Sequence, residues 1–303
     1  MTIVFEEMQR DVQSPEGPVW LGNGEWLVTE MGRGTIIRVS ETTRTTLATT
    51  GRPNGLAVDD DGSVWIAESL NPAILALNPS AGEVTEILTR RSHGLMWPND
   101  LCFAPDGALW FTDSGITLSV FEAAVDAGDF ANADIDGRLI RFDPVSHTMT
   151  VEDHGLHFAN GIAVHPSGDA IFVAETLTGS IYRYTLDGAV LGSRELYCNV
   201  MSEIQSPSRG VAGPDGMAFS AEGELCVCVL AQSDVTVVAS GGTVHERWTV
   251  DDGFPTNITF GGEDRSTILV TAAHTNRLLV AETPYIGAAL FTPPAWSHYR
   301  NGP

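Results

Sequence analysis

Apolar residues in this chain come in short runs of four to six, punctuated by Gly, Pro, Asp and Asn, and the stretch His157 to Tyr197 displays the pattern most completely. Ala159-Asn160-Gly161 leads into Ile162-Ala163-Val164, a Pro166-Ser167-Gly168-Asp169 turn, Ala170-Ile171-Phe172-Val173-Ala174, a Thr178-Gly179 turn, Ser180-Ile181-Tyr182-Arg183-Tyr184, Asp187-Gly188, and a last run ending at Tyr197. β-Branched and aromatic runs separated by turn residues predict consecutive hairpins. Four strands in about 40 residues is the size of one propeller blade.

The unit recurs. Pro15-Glu16-Gly17, Pro53-Asn54-Gly55, Pro98-Asn99-Asp100, Ala159-Asn160-Gly161, Pro214-Asp215-Gly216 and Pro255-Thr256-Asn257 stand roughly 40–60 residues apart, each ahead of an apolar run. Six copies predict an all-β, six-bladed β-propeller with four-stranded antiparallel blades. The runs lack polar alternation because each blade is covered on both faces by its neighbours. The segment Ile3 to Gln9 is expected to pair with the strands of residues 258–282 and close the ring, removing an exposed sheet edge.

The chain has 303 residues and no composition shift divides it, so a single propeller domain over 1–303 is expected. Two insertions interrupt the period, at about 115–136 and 199–213, and a tail, 284–303, is expected to lie across the surface. The first insertion has a helical or loop composition, and its length suggests that it covers something. The formal net charge of −23 argues against nucleic acid or an anionic membrane as partner. No basic leader or membrane-length apolar run stands out, which points to a cytoplasmic protein. Cys102, Cys198, Cys226 and Cys228 show no metal or redox spacing and are expected to be buried free thiols.

The chemistry lies in the middle residues of the triplets. Glu16, Asn54, Asn99, Asn160, Asp215 and Thr256 hold equivalent places at the start of the innermost strand, so pseudo-sixfold symmetry aims them at one end of a central channel. A Pro-Asn-Gly triplet alone is an ordinary turn sequence. As a set the residues argue for more, because a carboxylate buried there without a partner costs several kcal/mol. Two carboxylates and two or three amides make an oxygen-only cage for a hard cation: Ca²⁺ fits best, Mg²⁺ or Mn²⁺ are alternatives, and Zn²⁺ more often recruits Cys or His.

Ser14-Pro15-Glu16-Gly17-Pro18-Val19-Trp20, Pro53-Asn54-Gly55-Leu56, Pro98-Asn99-Asp100-Leu101, Phe111-Thr112-Asp113, Asn160-Gly161-Ile162-Ala163 and Pro214-Asp215-Gly216-Met217 occur in an order that resembles the family of senescence marker protein, gluconolactonase and luciferin-regenerating enzyme. The resemblance implies a divalent cation held by Glu16, Asn99, Asn160 and Asp215, hydrolysis of a small-molecule lactone or related ester, and an acid/base role for Asp215. Members acting on sugar lactones can carry an Arg, which binds hydroxyl groups, where this chain has Trp97. With Met96 beside it, Trp97 predicts a more apolar pocket wall and a less hydroxylated substrate, or else serves as packing; Asn99 and Asn54 are further candidate substrate contacts.

Auxiliary roles are expected to be weaker. His157 and His274, placed on a blade-six strand, are candidate channel bases but read better as structural histidines. Ser114 and Ser206 lack a nucleophile elbow. Asp113 and Ser114 could form a second cation site or a strand-end turn, while Trp20, Trp65 and Trp110 read as blade packing. Alternatives to a lactonase are a phosphotriesterase of the diisopropyl-fluorophosphatase kind, a strictosidine-synthase-like enzyme, or a non-catalytic binding propeller.

Overall fold

The computed structural model describes residues 3–130, 133–202 and 211–293. Six antiparallel sheets follow one another around a central axis, giving the expected six-bladed β-propeller. In blades one, two, three and five, strands pair in simple sequence order, as in Pro15–Gly22, Glu25–Glu30, Thr35–Val39 and Arg44–Thr49 of blade one. Blade four adds a two-residue strand, Val190–Leu191, beside the long third strand Ser180–Asp187, which also pairs with Glu195–Asn199. Blade six draws three strands from Pro255–Gly261, Thr267–Ala272 and Arg277–Glu282, and its fourth is Glu6–Arg10. That strand pairs Glu6 with Val280 and Arg10 with Arg277, so the ring closes as the amino-terminal pattern predicts.

Buried apolar residues collect at the seams between blades, not in one central mass. Trp26, Val28 and Ile37 of blade one pack with Leu269 and Leu278 of blade six. Trp65 and Ile74 of blade two meet Phe103 and Phe111 of blade three, and four further clusters fill the remaining seams. Trp65 and Trp110 are fully buried and Trp20 packs against Trp26, so all three serve as packing. The cysteines are free; three are buried, and Cys102 is only partly so.

The first insertion carries a nine-residue helix, Leu118–Asp126. Phe121 and Val125 from this helix pack with Trp97, Phe130 and Phe158, which lays the insertion over one end of the ring. Most of the second insertion, 203–210 with Ser206, lies outside the described residues, as does 294–303 of the tail. The described part of the tail does more than cross the surface. Ala221 donates to Ile286 O and Ala288 to Phe219 O, and Ala288 to Phe291 then cap the far end of the channel. No helix among the described residues is long and apolar enough to cross a membrane.

Candidate functional site

Every inner strand carries a register shift near its start, and in blades two to five it takes one form. In blade two Pro53 faces Glu68 but Leu56 faces Ile66, so three residues on the inner strand span the space of two on its neighbour. The same jump separates Pro98 from Leu101, Ala159 from Ile162 and Pro214 from Met217. A bulge re-aims the side chains within it, here including the middle residue of the triplet in these four blades. Glu16, Asn54, Asn99, Asn160, Asp215 and Thr256 are all buried and all line one cavity of about 340 Å³ at the end of the channel covered by the insertion helix.

The amides are oriented by hydroxyls from the strands behind them. Asn99 Nδ2 donates to Ser114 Oγ at 2.9 Å, and Ser114 in turn donates to the carbonyl of Ala159. Asn160 Nδ2 donates to Thr176 Oγ1 at 3.0 Å, and that hydroxyl donates to the carbonyl of Pro214, just before Asp215. Each hydroxyl therefore fixes one amide and ties it to the next blade. Further seams are stitched the same way: Thr29 donates to Asn54 O and Thr256 to Pro15 O.

The carboxylates sit in a poorly solvated place. Burial, and then the neighbouring Asp100, push Glu16 up to about 7, although Gly17 N and Asn257 Nδ2 both donate to its Oε2, at 2.9 and 3.0 Å. Asp215 is raised well above the usual carboxylate range by burial and by the charges of Glu16 and Asp100. Asp100 is itself pushed up by burial to about 6. This third carboxylate, with Asn257, is a site residue that the triplet pattern does not announce. Both stand where four other blades have Gly, and the signal was that departure. A Cβ on Gly55 would lie 2.3 Å from Asp100 Oδ1, and one on Gly216 2.1 Å from Asn257 Cγ. Asp100 and Asn257 do not line that first cavity but a second, apolar one of about 120 Å³ deeper in the channel.

The donor set suits a hard cation. The side-chain oxygens Asn54 Oδ1 and Asn160 Oδ1 are buried with no hydrogen-bond partner among the described residues, a costly state for an acceptor unless an ion satisfies it. No cluster of three or more His, Cys, Asp or Glu side chains among the described residues could hold a metal by itself. A cation bound here would have to take part of its shell from amide oxygens, as Ca²⁺ tolerates better than Zn²⁺ does.

A second ring of positions, two residues upstream of the first, forms the wall. Ser14, Arg52, Trp97, Phe158 and Phe254 occupy it and line the same cavity. Trp97 is buried, with its ring 5.1 Å from Phe121 and 5.7 Å from Phe158. The wall and packing readings of Trp97 thus both hold. Phe158 sits at φ 69°, a left-handed conformation that is strained for a bulky side chain. Met96 is not among the lining residues; Met31 of blade one is. Arg52, which the triplet pattern also does not announce, lies with its guanidinium 4.8 Å from the Trp97 ring centroid.

Four carboxylates at the ends of second strands hold the loops that bear this wall. Glu68 accepts from the backbone of Gly51 and Arg52, Glu30 from Gln13, and Glu175 from His157. Asp113 accepts from Met96 N, Trp97 N and Gly115 N and pairs with Arg138 at 2.7 Å. Its oxygens are thereby saturated, so the strand-end turn, not a second cation site, accounts for Asp113. The side chain of His157 is exposed and is not among the lining residues. His274 lies on a turn instead of a strand, exposed and stacked on Phe254, at the cavity rim.

Comparison with known proteins agrees with this arrangement. The chain is 28% identical to the gluconolactonase of Zymomonas mobilis over 291 residues, 89% of this chain and 79% of that one. It is 34% identical over 140 residues to STRICTOSIDINE SYNTHASE-LIKE 2 of Arabidopsis thaliana, where it spans only 36% of that protein's length. The structure of regucalcin, a calcium-binding protein from Agrobacterium tumefaciens, superposes with a TM-score of 0.78 at 18% identity, covering 97% of each chain, and so shares the fold. Residues 14–274 match the SMP-30/Gluconolactonase/LRE-like region, a span that takes in all six triplets and their bulges; the chain belongs to this family.

Proposed function

We propose that this protein is a lactonase-type hydrolase that opens a small-molecule lactone or related ester with the help of a divalent cation, Ca²⁺ being the best fit. Glu16, Asn99, Asn160 and Asp215 would hold the ion, with Asn54 facing it from blade two. The observation that carries this reading is the pair of orphaned amide oxygens, Asn54 Oδ1 and Asn160 Oδ1, in a ring that also contains two buried carboxylates. When bound, such an ion polarises an ester carbonyl and acidifies water.

The chain's own residues supply the rest. Asp215, a carboxylate buried in the same ring, would accept a proton from the attacking water and return it to the departing ring oxygen. Asn99 and Asn160 are held in one orientation by Ser114 and Thr176, so their oxygens are positioned without reorganisation. Trp97, Phe121 and Phe158 exclude water from the wall. That apolar wall favours a substrate less hydroxylated than an aldonolactone.

The test is metal analysis of the purified protein followed by a lactone panel with and without chelator. Stoichiometric cation and chelator-sensitive ring opening are expected. Undiminished hydrolysis in a fully chelated sample would refute the cation's role, and inertness toward every lactone with cation bound would refute the activity.

A further inference from the structure

Of the described residues lining the cavity, Arg52 alone carries a permanent positive charge. It is half-buried, and burial lowers its pKa from the ordinary value while Glu122, Glu68 and Glu16 act on it from a distance. No carboxylate among the described residues reaches ion-pair distance of it, and its one side-chain hydrogen bond, from Nη1 to Ser69 Oγ, is long at 3.4 Å. A partly desolvated guanidinium with no described carboxylate at ion-pair distance is costly in a protein that has 39 acidic residues.

Its surroundings fix its aim. Glu68 Oε1 accepts from Arg52 N at 2.7 Å, anchoring the backbone, and Trp97 supports the guanidinium from one face at 4.8 Å. Apart from the long contact with Ser69, the guanidinium N–H donors meet no acceptor among the described residues, and their fork matches the two oxygens of a carboxylate. Arg52 occupies the wall position two residues before Asn54, as Trp97 does before Asn99, so it flanks the ring of amide and carboxylate oxygens. The other wall positions that line the cavity, Ser14, Trp97, Phe158 and Phe254, are uncharged.

We propose that Arg52 is a specificity-determining residue that binds a carboxylate carried by the substrate on the far side of the lactone ring from the ester carbonyl. This rests on the lactonase reading above. The preferred substrate class is then a lactone of a hydroxydicarboxylic acid, compact and otherwise apolar. The protein's net charge of −23 repels such an anion at long range, so recognition depends on the local cation.

The probes are γ-carboxy-γ-butyrolactone and its primary amide, which have the same ring and differ in one charge. The wild-type protein is expected to favour the acid in kcat/KM by about tenfold or more, and Arg52→Gln to bring that ratio close to one, with Arg52→Lys retaining part of it. A ratio is read because loss of folding or of cation lowers both rates together. Calorimetric binding of the ring-opened hydroxydicarboxylate against its mono-amide gives a readout independent of turnover. A wild-type preference for the diacid that disappears in Arg52→Gln supports the assignment even if neither lactone is opened, an outcome that would count against the lactonase reading alone. Equal binding of diacid and mono-amide by the wild-type protein, or a preference that survives Arg52→Gln, overturns it.

Discussion

Neutralising a buried acid should stabilise this protein once cation is withheld. Glu16 is held at about 7, against an ordinary value of 4.5, because burial and the charge of Asp100 disfavour its ionised form. At about 1.4 kcal/mol per pH unit, that difference costs about 3 kcal/mol when the site is emptied and the carboxyl is forced to ionise. The sign follows from proton counting. Between about pH 4.5 and 7 the folded chain keeps this proton and the unfolded chain does not, so chelated protein loses stability as pH rises through that window. Asp100, raised from 3.8 to about 6, adds a loss in the same direction beginning at lower pH. Glu16→Gln removes the Glu16 share while its side-chain oxygen can still accept from Asn257 Nδ2 and Gly17 N. In chelator at about pH 8, the variant should therefore melt above wild type, by roughly 5 °C for about 3 kcal/mol in a chain of this length. Saturating Ca²⁺ should reverse the order, because only the wild-type carboxylate repays the ion. Thermal denaturation at four pH values, with chelator and with Ca²⁺, measures all of this. A chelated wild-type protein that gains stability from pH 5 to 8, or a Glu16→Gln variant that melts lower in chelator, would refute the reasoning.

Other expectations concern single side chains. Asp215→Asn should lower kcat by about 10²–10⁴-fold with an unaltered circular dichroism spectrum, and near-normal turnover would remove Asp215 from proton transfer. Thr176→Val leaves Asn160 Nδ2 without its acceptor and should weaken Ca²⁺ binding by about ten- to a hundredfold in a titration; an unchanged isotherm would show that the amide needs no such support. Gly55→Ala would drive a methyl to within 2.7 Å of the Asp100 backbone and should cost about 1–3 kcal/mol in a urea melt, whereas tolerance would mean the inner strands can part.

The blade period, the closing strand and the six aligned triplet positions were legible because each repeats, and repetition distinguishes a placed Asn from an ordinary turn Asn. What did not repeat was harder to read. Asp100 looks like the tail of a turn until Gly55, at the equivalent position of blade two, proves to leave the space it fills. Arg52 belongs to a wall position whose other occupants, such as Ser14 and Phe158, share no chemistry with it, so no pattern marks it. The second-strand carboxylates Glu68 and Asp113 do recur, but their work is to hold backbone N–H groups from a distant part of the sequence. His274 follows the apolar run Ile268–Ala272 so closely that the pattern extends the strand through it, whereas the strand ends at Ala272 and a turn carries it. Met96 adjoins Trp97 in the sequence, yet it lies on a bend ahead of the inner strand and does not line the cavity.

The strand Glu6–Arg10 is a latch as well as an edge. It grips Arg277–Glu282 through a short antiparallel pairing that slips by one residue between Glu7 and Gln9, and the chain then runs straight into Ser14 and Glu16. Ser14 N is tethered to Asn276 Oδ1 at 2.9 Å on the same blade. A tug on this latch would therefore unfasten the circle at blade six and pull on Glu16 in one movement, so the affinity for the proposed cation would gauge whether the circle is shut.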